Sequence, residues 1–278
     1  MKLSVFGGTG FVGGKFLKLY PDNLKINRNN LRPESENILY LISTVDNYNV
    51  FDDITKDVKV NLELFCKVLE NCKSEKTTIN FISSWFVYGK VDKKDLPVDE
   101  SNSCNPTGFY SITKKCAEDL LISYCNTFNV NYRIIRLCNV LGEGDKGTSK
   151  KKNAVTWMIN QLKENKPINL YNDGLVYRDF LHVDDICQAI NLICNKGKKN
   201  EIYNVSSGNP TKIKTIIDLA QKFLNSTSLI NSIKPPSFHS NVQSQDFWMN
   251  NKKLVNLGFK QKISIEEIVK ELCFCNGY

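Results

Sequence analysis

The chain has only two histidines, three tryptophans and three methionines in 278 residues. His182 and His239 are too few to build an imidazole-rich metal centre. The ten cysteines include no C-x-x-C pair, and Cys273 and Cys275 lack the spacing of common zinc sites. No metal is expected. Long apolar runs are also missing. None approaches the ~20 residues that a membrane-spanning helix needs, so no membrane partner is expected. Met1-Lys2-Leu3-Ser4-Val5-Phe6 runs straight into a glycine turn. It has neither the apolar core nor the small-residue cleavage site of a signal peptide. The chain is read as cytoplasmic, where thiols stay reduced. Cys66, Cys116, Cys125, Cys187 and Cys194 fall inside apolar or helical patterns, as small hydrophobes do.

Charge is present in excess of one sign, at +8 net. Lysine and asparagine are spread along the whole chain, and the only short basic cluster is Lys146 to Lys152. That is too little for a nucleic-acid surface, and no nucleic-acid partner is expected. A positive field does attract anionic substrates.

The hydrophobic pattern alternates between two kinds of segment. Residues 2–6, Leu24 to Asn27, Ile38 to Ile42, Thr78 to Ser83, Tyr132 to Leu137 and Ile202 to Ser206 read as strands. Asp179 to Val183 reads as a further one. Several are continuous apolar runs, as expected of strands covered on both faces. Phe11 to Tyr20, Val60 to Cys72, Tyr110 to Phe128, Ala154 to Lys163, Asp184 to Asn195, Lys214 to Leu224 and Ile265 to Leu272 read as helices. Strands alternating with helices predict an α/β fold around a mostly parallel sheet. Asn29 to Glu36 is a polar loop. Ser232 to Ser244, with Pro235-Pro236, is expected to be an extended loop.

Gly7, Gly10 and Gly13 stand between the first strand and the first helix. Glycine there permits a tight turn and close backbone approach to a pyrophosphate, at a helix N-terminus that favours anions. The pattern, placed directly after a buried strand, points to a dinucleotide. The end of the second strand then selects the cofactor: a carboxylate would bind a ribose hydroxyl, an arginine a 2′-phosphate. Here it reads Lys25-Ile26-Asn27-Arg28, without a carboxylate, so NADP is favoured over NAD. Only 24 residues separate Gly13 from Ile38, too few for another helix and strand. That edge is expected to be pared down.

Tyr110 and Lys114 lie four residues apart, on one face of a helix. A tyrosine with a pKa of ~10 is a poor base near neutrality; a nearby ammonium favours its phenolate. Upstream, Ser83-Ser84 ends a buried strand, at the sheet edge where α/β folds bind ligands.

Taken in order, GGTGFVG at 7–13, SSWFVYG at 83–89, FYSITK at 109–114, RLCNVLG at 136–142 and RDFLHVDD at 178–185 resemble the extended short-chain dehydrogenase/reductase family of nucleotide-sugar epimerases, dehydratases and reductases. A weaker match, NNKKLVNLGF at 250–259, carries the resemblance almost to the C-terminus. It implies a Rossmann-like doubly wound parallel sheet with a shortened second/third-strand region, and a smaller C-terminal substrate-binding lobe. Residues 1–141 with about 175–206 would form the NAD(P)-binding domain, and about 142–174 with 207–278 the lobe. Ser84, Tyr110 and Lys114 would be catalytic. Gly7, Thr9, Gly10, Phe11, Val12, Gly13, Asn27, Arg28, Ile42 and Asn61 would contact the cofactor, together with Tyr110 and Lys114. Asn139, Asn153 and Arg178, with Ser84, would bind a nucleotide-diphosphate sugar. His182 with Asp184 and Asp185 is read as a helix start in which the carboxylates cap the helix. Family members often dimerise through the tyrosine-bearing helix, where Leu120, Leu121 and Ile122 can serve either that interface or the core.

Two departures matter. Dehydratases of the family carry an Asp-Glu pair where this chain has Trp85 and Phe86, which cannot transfer protons. Phe86 also stands where C3/C5 epimerases of the GDP-fucose-synthase type place a cysteine. Hydride chemistry at one carbon remains, most simply C4. An epimerase retaining its cofactor is expected first, and an NADPH-dependent 4-keto reductase is the alternative. A non-catalytic NADP-binding regulator is a third reading, against which the complete Ser-Tyr-Lys set weighs.

Overall fold

The computed structural model describes residues 2–45, 47–145, 152–242 and 245–275. The central sheet has six parallel strands in the order β10-β5-β4-β3-β1-β2. In chain order they are β1 (Leu3–Phe6), β2 (Leu24–Lys25), β3 (Asn37–Tyr40), β4 (Thr78–Ser84), β5 (Asn131–Leu137) and β10 (Glu201–Val205). Every residue of β1 is buried, as parallel strands with helices on both faces require. The chain steps from β1 out to β2, then returns across β1 to β3. That reversal opens a crevice at the C-terminal strand ends, where such sheets bind ligands.

One face is covered by α1 (Phe11–Leu19) and α6 (Val183–Lys196), whose Phe16, Ile186, Ala189, Ile190 and Ile193 are fully buried. The other is covered by α3 (Leu64–Leu69) and α4 (Phe109–Phe128). There Phe65, Val68, Ala117 and Leu121 pack on Tyr40, Phe81 and Ile134. Each such side chain contributes roughly 1.5–3 kcal/mol of burial. Leu121 is therefore core, whereas Leu120 is exposed and Ile122 half-buried. A buried ion pair, Arg136 to Glu118 at 2.7 Å, fixes α4 against β5.

The paring of the β2 edge is as expected: residues 26–36 hold no helix or strand, and β2 is two residues long rather than four. The helix expected from Val60 starts earlier. It runs from α2 (Lys56–Val58) through a π-helical turn, Lys59–Glu63, into α3.

The C-terminal half adds small pairings: β6 (Asn139–Leu141) with β9 (Phe180–His182), β7 (Ile168–Tyr171) with β12 (Ile230–Ile233), and β8 (Tyr177–Arg178) with β11 (Thr211–Lys212). The strand expected at Asp179 to Val183 is β9, at Phe180–His182, and the short β8 precedes it. Helices α5 (Ala154–Lys163), α7 (Ile213–Leu224) and α10 (Ile265–Phe274) share a separate core of Ile159, Leu162, Ile216, Ile217, Ile268 and Leu272. The extended loop expected at 232–244 is corrected. Ile230–Ile233 pairs as a strand, and Ser237–Val242 is a short helix, α8. Residues 243 and 244 lie outside the described residues, as does the basic cluster up to residue 151. A last short helix, α9 (Lys252–Asn256), lies beside β10.

Among the described residues the outer edge of β10 pairs with no seventh strand. Instead Glu100 accepts the Asn204 amide at 2.9 Å, and Lys253 donates to the Ile202 carbonyl at 2.8 Å.

Candidate active site

The glycine turn is built as its composition demands. Gly7 has φ +86°, a conformation that favours glycine. A Cβ on Gly13 would lie 2.3 Å from the Gly7 carbonyl oxygen, so only glycine lets helix and turn approach this closely. The Gly10 amide closes the turn on Gly7 at 3.0 Å. Helix α1 follows with no acidic residue in its first turn and no side-chain cap. Its first amides have no acceptor within the helix. Thr9 and Gly10 are exposed, and Phe11, Val12 and Ile42 are half-buried beside them. This cradle fits a dinucleotide pyrophosphate. Asn27 and Arg28 are exposed just past β2, at the same end of the sheet.

Asn61 sits inside the π turn. Its oxygen accepts from the Ser43 hydroxyl at 3.0 Å and the Thr44 amide at 2.9 Å; its nitrogen donates to the Thr44 and Thr113 hydroxyls at 2.8 and 2.9 Å. Those four bonds use the full capacity of a carboxamide. Asn61 thus braces the segment after β3 against α4.

Ser84 ends β4, buried, and its Oγ accepts the Phe86 amide at 3.4 Å. Tyr110 and Lys114 lie one turn apart on α4, both buried. The Tyr110 ring meets the Phe86 ring edge-on at 5.9 Å. The Lys114 ammonium donates to the Ile82 carbonyl at 2.6 Å and lies 4.1 Å from the centre of the Phe81 ring. Burial pulls its pKa down to about 7, against a smaller upward pull from Glu118. Lys114 and Tyr110 thus reach residues on either side of Ser84, at the C-terminal end of β4.

Arg178 is buried with its guanidinium 5.4 Å from the Trp85 ring. Its Nη1 donates to the carbonyls of Tyr177, at 2.9 Å, and Gln245. Burial lowers its pKa to about 10, partly countered by Asp246. Asn139 donates its side-chain amide to the Asp179 carbonyl at 2.9 Å. Asn153 donates to Asp145 at 2.7 Å and caps α5 in a left-handed conformation. The helix-start reading of residues 182–185 needs correction. The side-chain cap of α6 is the His182 ring, which accepts the Asp184 amide at 3.2 Å. Asp184 pairs with Lys15 instead, and Asp185 accepts the amides of Lys262 and Ile263.

Sequence reasoning missed the far wall. Trp85, Arg178, Ser240, Asn241, Asp246 and Phe247 border one cavity, and an open groove of about 790 Å³ continues from it past Lys93 and Lys234. His239, on α8, is bonded to the Tyr48 hydroxyl at 2.9 Å and lies 4.5 Å, ring to ring, from Tyr171. Burial, with a contribution from the Arg178 charge, pulls its pKa down to about 4. Trp85 and Arg178 lie in the 83–89 and 178–185 motifs, but no local motif announces Ser240, Asn241, Asp246 and Phe247, which reach the site only through tertiary folding.

All ten cysteines are free thiols. Among the described residues no His/Cys/Asp/Glu cluster can hold a metal, and no helix is long and apolar enough to cross a membrane.

The sheet order, the glycine cradle and the Tyr-Lys helix beside a strand-end serine define a dinucleotide-binding α/β enzyme of the extended short-chain dehydrogenase/reductase type. Residues 34–206 match the model of the NAD dependent epimerase/dehydratase family, and the chain belongs to that family. It is accordingly an NAD(P)-dependent enzyme. It is 28% identical to the GDP-6-deoxy-D-mannose reductase of Pseudomonas aeruginosa, over 78% of each chain. Two solved structures share its fold over 98% of its length and 97% of theirs. One is the UDP-glucose 4-epimerase of Thermotoga maritima with UDP-glucose, at TM-score 0.86 and 21% identity. The other is RMD from Pseudomonas aeruginosa with NADPH, at TM-score 0.84 and 23% identity.

Proposed function

We propose that the chain is a nucleotide-sugar epimerase acting by transient hydride transfer, most simply at sugar C4. The observation that carries this is the clamp of Lys114 on the Ile82 carbonyl, which sets the Tyr110 helix beside Ser84. When bound in the glycine cradle, a nicotinamide dinucleotide supplies a reversible hydride acceptor. Tyr110 takes the proton of a sugar hydroxyl as the carbon bearing it loses hydride, and returns the proton when hydride comes back on the other face. Ser84 holds the reacting oxygen, and Lys114 orients Tyr110 and favours its phenolate. Arg178 suits a diphosphate anchor, and the groove beyond it offers room for a nucleoside. Asn139 and Asn153 complete the substrate side. Neither Trp85 nor Phe86 carries an acid or base that exchanges protons near neutrality, which argues against water elimination.

The second reading, an NADPH-dependent 4-keto reductase, is favoured by the exposed Arg28 and the missing carboxylate past β2, and by the reductase relative. NADP is preferred in both. The domain division at about residues 142, 175 and 207, a cytoplasmic setting and a homodimer through α4 belong to the same proposal. Exposed Ile112 and Leu120 support the dimer, and sedimentation tests it.

Mass spectrometry of small molecules released from the native protein separates the two activities. Stoichiometric NAD or NADP, with no net NAD(P)H consumption on sugar nucleotides, supports the epimerase. An empty site selectively stabilised by NADPH supports the reductase.

A further inference from the structure

We propose that the stacked pair Trp85–Phe86 is the specificity-determining wall of this site, selecting sugar nucleotides whose sugar carries a methyl group at C5 (the 6-deoxy class) over those carrying a hydroxymethyl or a carboxylate there. This rests on the sugar-nucleotide reading above and deepens it.

The two rings stack at 3.9 Å between centroids, 23° from parallel. Phe86 continues to Tyr110 at 5.9 Å, and Trp85 continues to the Arg178 guanidinium at 5.4 Å. Phe247 backs Trp85 at 4.8 Å. An unbroken aromatic strip therefore joins the proton-transferring hydroxyl to the phosphate anchor. A sugar linked through C1 to a phosphate at Arg178, with its reacting hydroxyl at Tyr110, would lie beside that strip.

The strip rewards C–H surface and, apart from the single indole N–H of Trp85, offers little to oxygen. Ring carbons neither donate nor accept, so a hydroxyl pressed on them loses water without gaining a partner. A carboxylate loses far more. Apolar walls reject an added hydroxyl only moderately, by up to about 10²-fold. The groups at C5 of common activated sugars differ in this respect: methyl, hydroxymethyl or carboxylate. A wall built from two large aromatics at consecutive positions ranks them in that order.

The test uses the full-length protein with its retained or added cofactor. Matched 6-deoxyglucose, glucose and glucuronate nucleotides are compared in UDP, dTDP and GDP series. Binding is measured by calorimetry, and conversion by chromatography of the products. Within the series that binds, the 6-deoxy compound is expected to lead glucose by about ten-fold or more in kcat/KM, and glucuronate by about 10²-fold or more. Phe86→Ser, with Phe86→Leu as an apolar control, should compress that order to within about three-fold by raising glucuronate, whereas the leucine variant keeps it. Equal or reversed preference in the wild type overturns the wall, even when turnover proves the enzyme class. Binding in the predicted order without any conversion instead supports the wall and overturns the proposed reaction. Binding of none of the series overturns both.

Discussion

The Lys114 ammonium donates to the Ile82 carbonyl at 2.6 Å, two residues before Ser84. Helix and strand are thereby locked together at the point where the candidate serine, tyrosine and lysine meet. The position is costly, since a buried ammonium has lost its water.

That cost has a pH signature. Folding lowers the Lys114 pKa from 10.5 to about 7. Below 7 both states hold the proton and the penalty is fully felt. Between about 7 and 10.5 the unfolded chain binds the extra proton, so this group's contribution to stability rises with pH. Lys114→Met removes the term. In urea titrations of cofactor-free protein, its stability relative to wild type should be greater at pH 6 than at pH 9 by about 2–3 kcal/mol. The same difference at both pH values would refute the shift.

Tyr110→Phe removes one hydroxyl from a buried ring. Conversion of a sugar nucleotide should fall by about 10²–10⁴-fold, with a melting temperature near wild type. Retained turnover would rule out Tyr110 as the proton carrier.

Gly13→Ala pushes a methyl group to 2.3 Å from the Gly7 carbonyl oxygen. The turn must shift, and the amides of α1 with it. Dinucleotide affinity measured by calorimetry should drop at least about ten-fold. Gly14→Ala, whose Cβ meets nothing closer than 3.7 Å, is the control and should bind as wild type does.

Arg28→Asp places a carboxylate just past β2. Preference should move from NADPH towards NADH, by about ten-fold in the ratio of dissociation constants. An unchanged ratio would remove Arg28 from the cofactor site.

Tyr40 is fully buried among Phe65 and Phe81, and its hydroxyl has no hydrogen-bond partner among the described residues. Tyr40→Phe should stabilise the protein by about 1 kcal/mol, read as a higher midpoint in urea with an unchanged slope. A lower midpoint would mean that the hydroxyl is solvated.

What the sequence could disclose follows from which signals are local. β3 lies mid-sheet and is buried, so the apolar run Ile38 to Ile42 is continuous and readable. Tyr110 and Lys114 are related by helix periodicity alone, and Ser84 by its place at a strand end. β7 and β12 are different: Asn169 and Asn231 interrupt them, and each is stabilised by a partner some sixty residues away, Ile230 opposite Ile168. Neither has a pattern of its own. The part of the wall formed by Asp246, Phe247 and α8 is equally non-local. His239 reads as an isolated histidine until the fold sets it against Tyr48 and Tyr171. Asn61 shows a further limit: its position was legible, but its four internal hydrogen bonds were not.

The treatment of β10 bears on how the molecule behaves in a crowded solution. An unpaired strand edge is a template on which another chain can add itself, the first step of sheet-driven aggregation. Here the outward amide of Asn204 is occupied by a carboxylate and the outward carbonyl of Ile202 by an ammonium. An incoming strand would have to displace both charged partners before making its first bond. At the opposite edge β2 has only two residues, too few to seed a ladder. Removing Glu100 or Lys253 should therefore cost the protein shelf life at high concentration more than it costs folding stability.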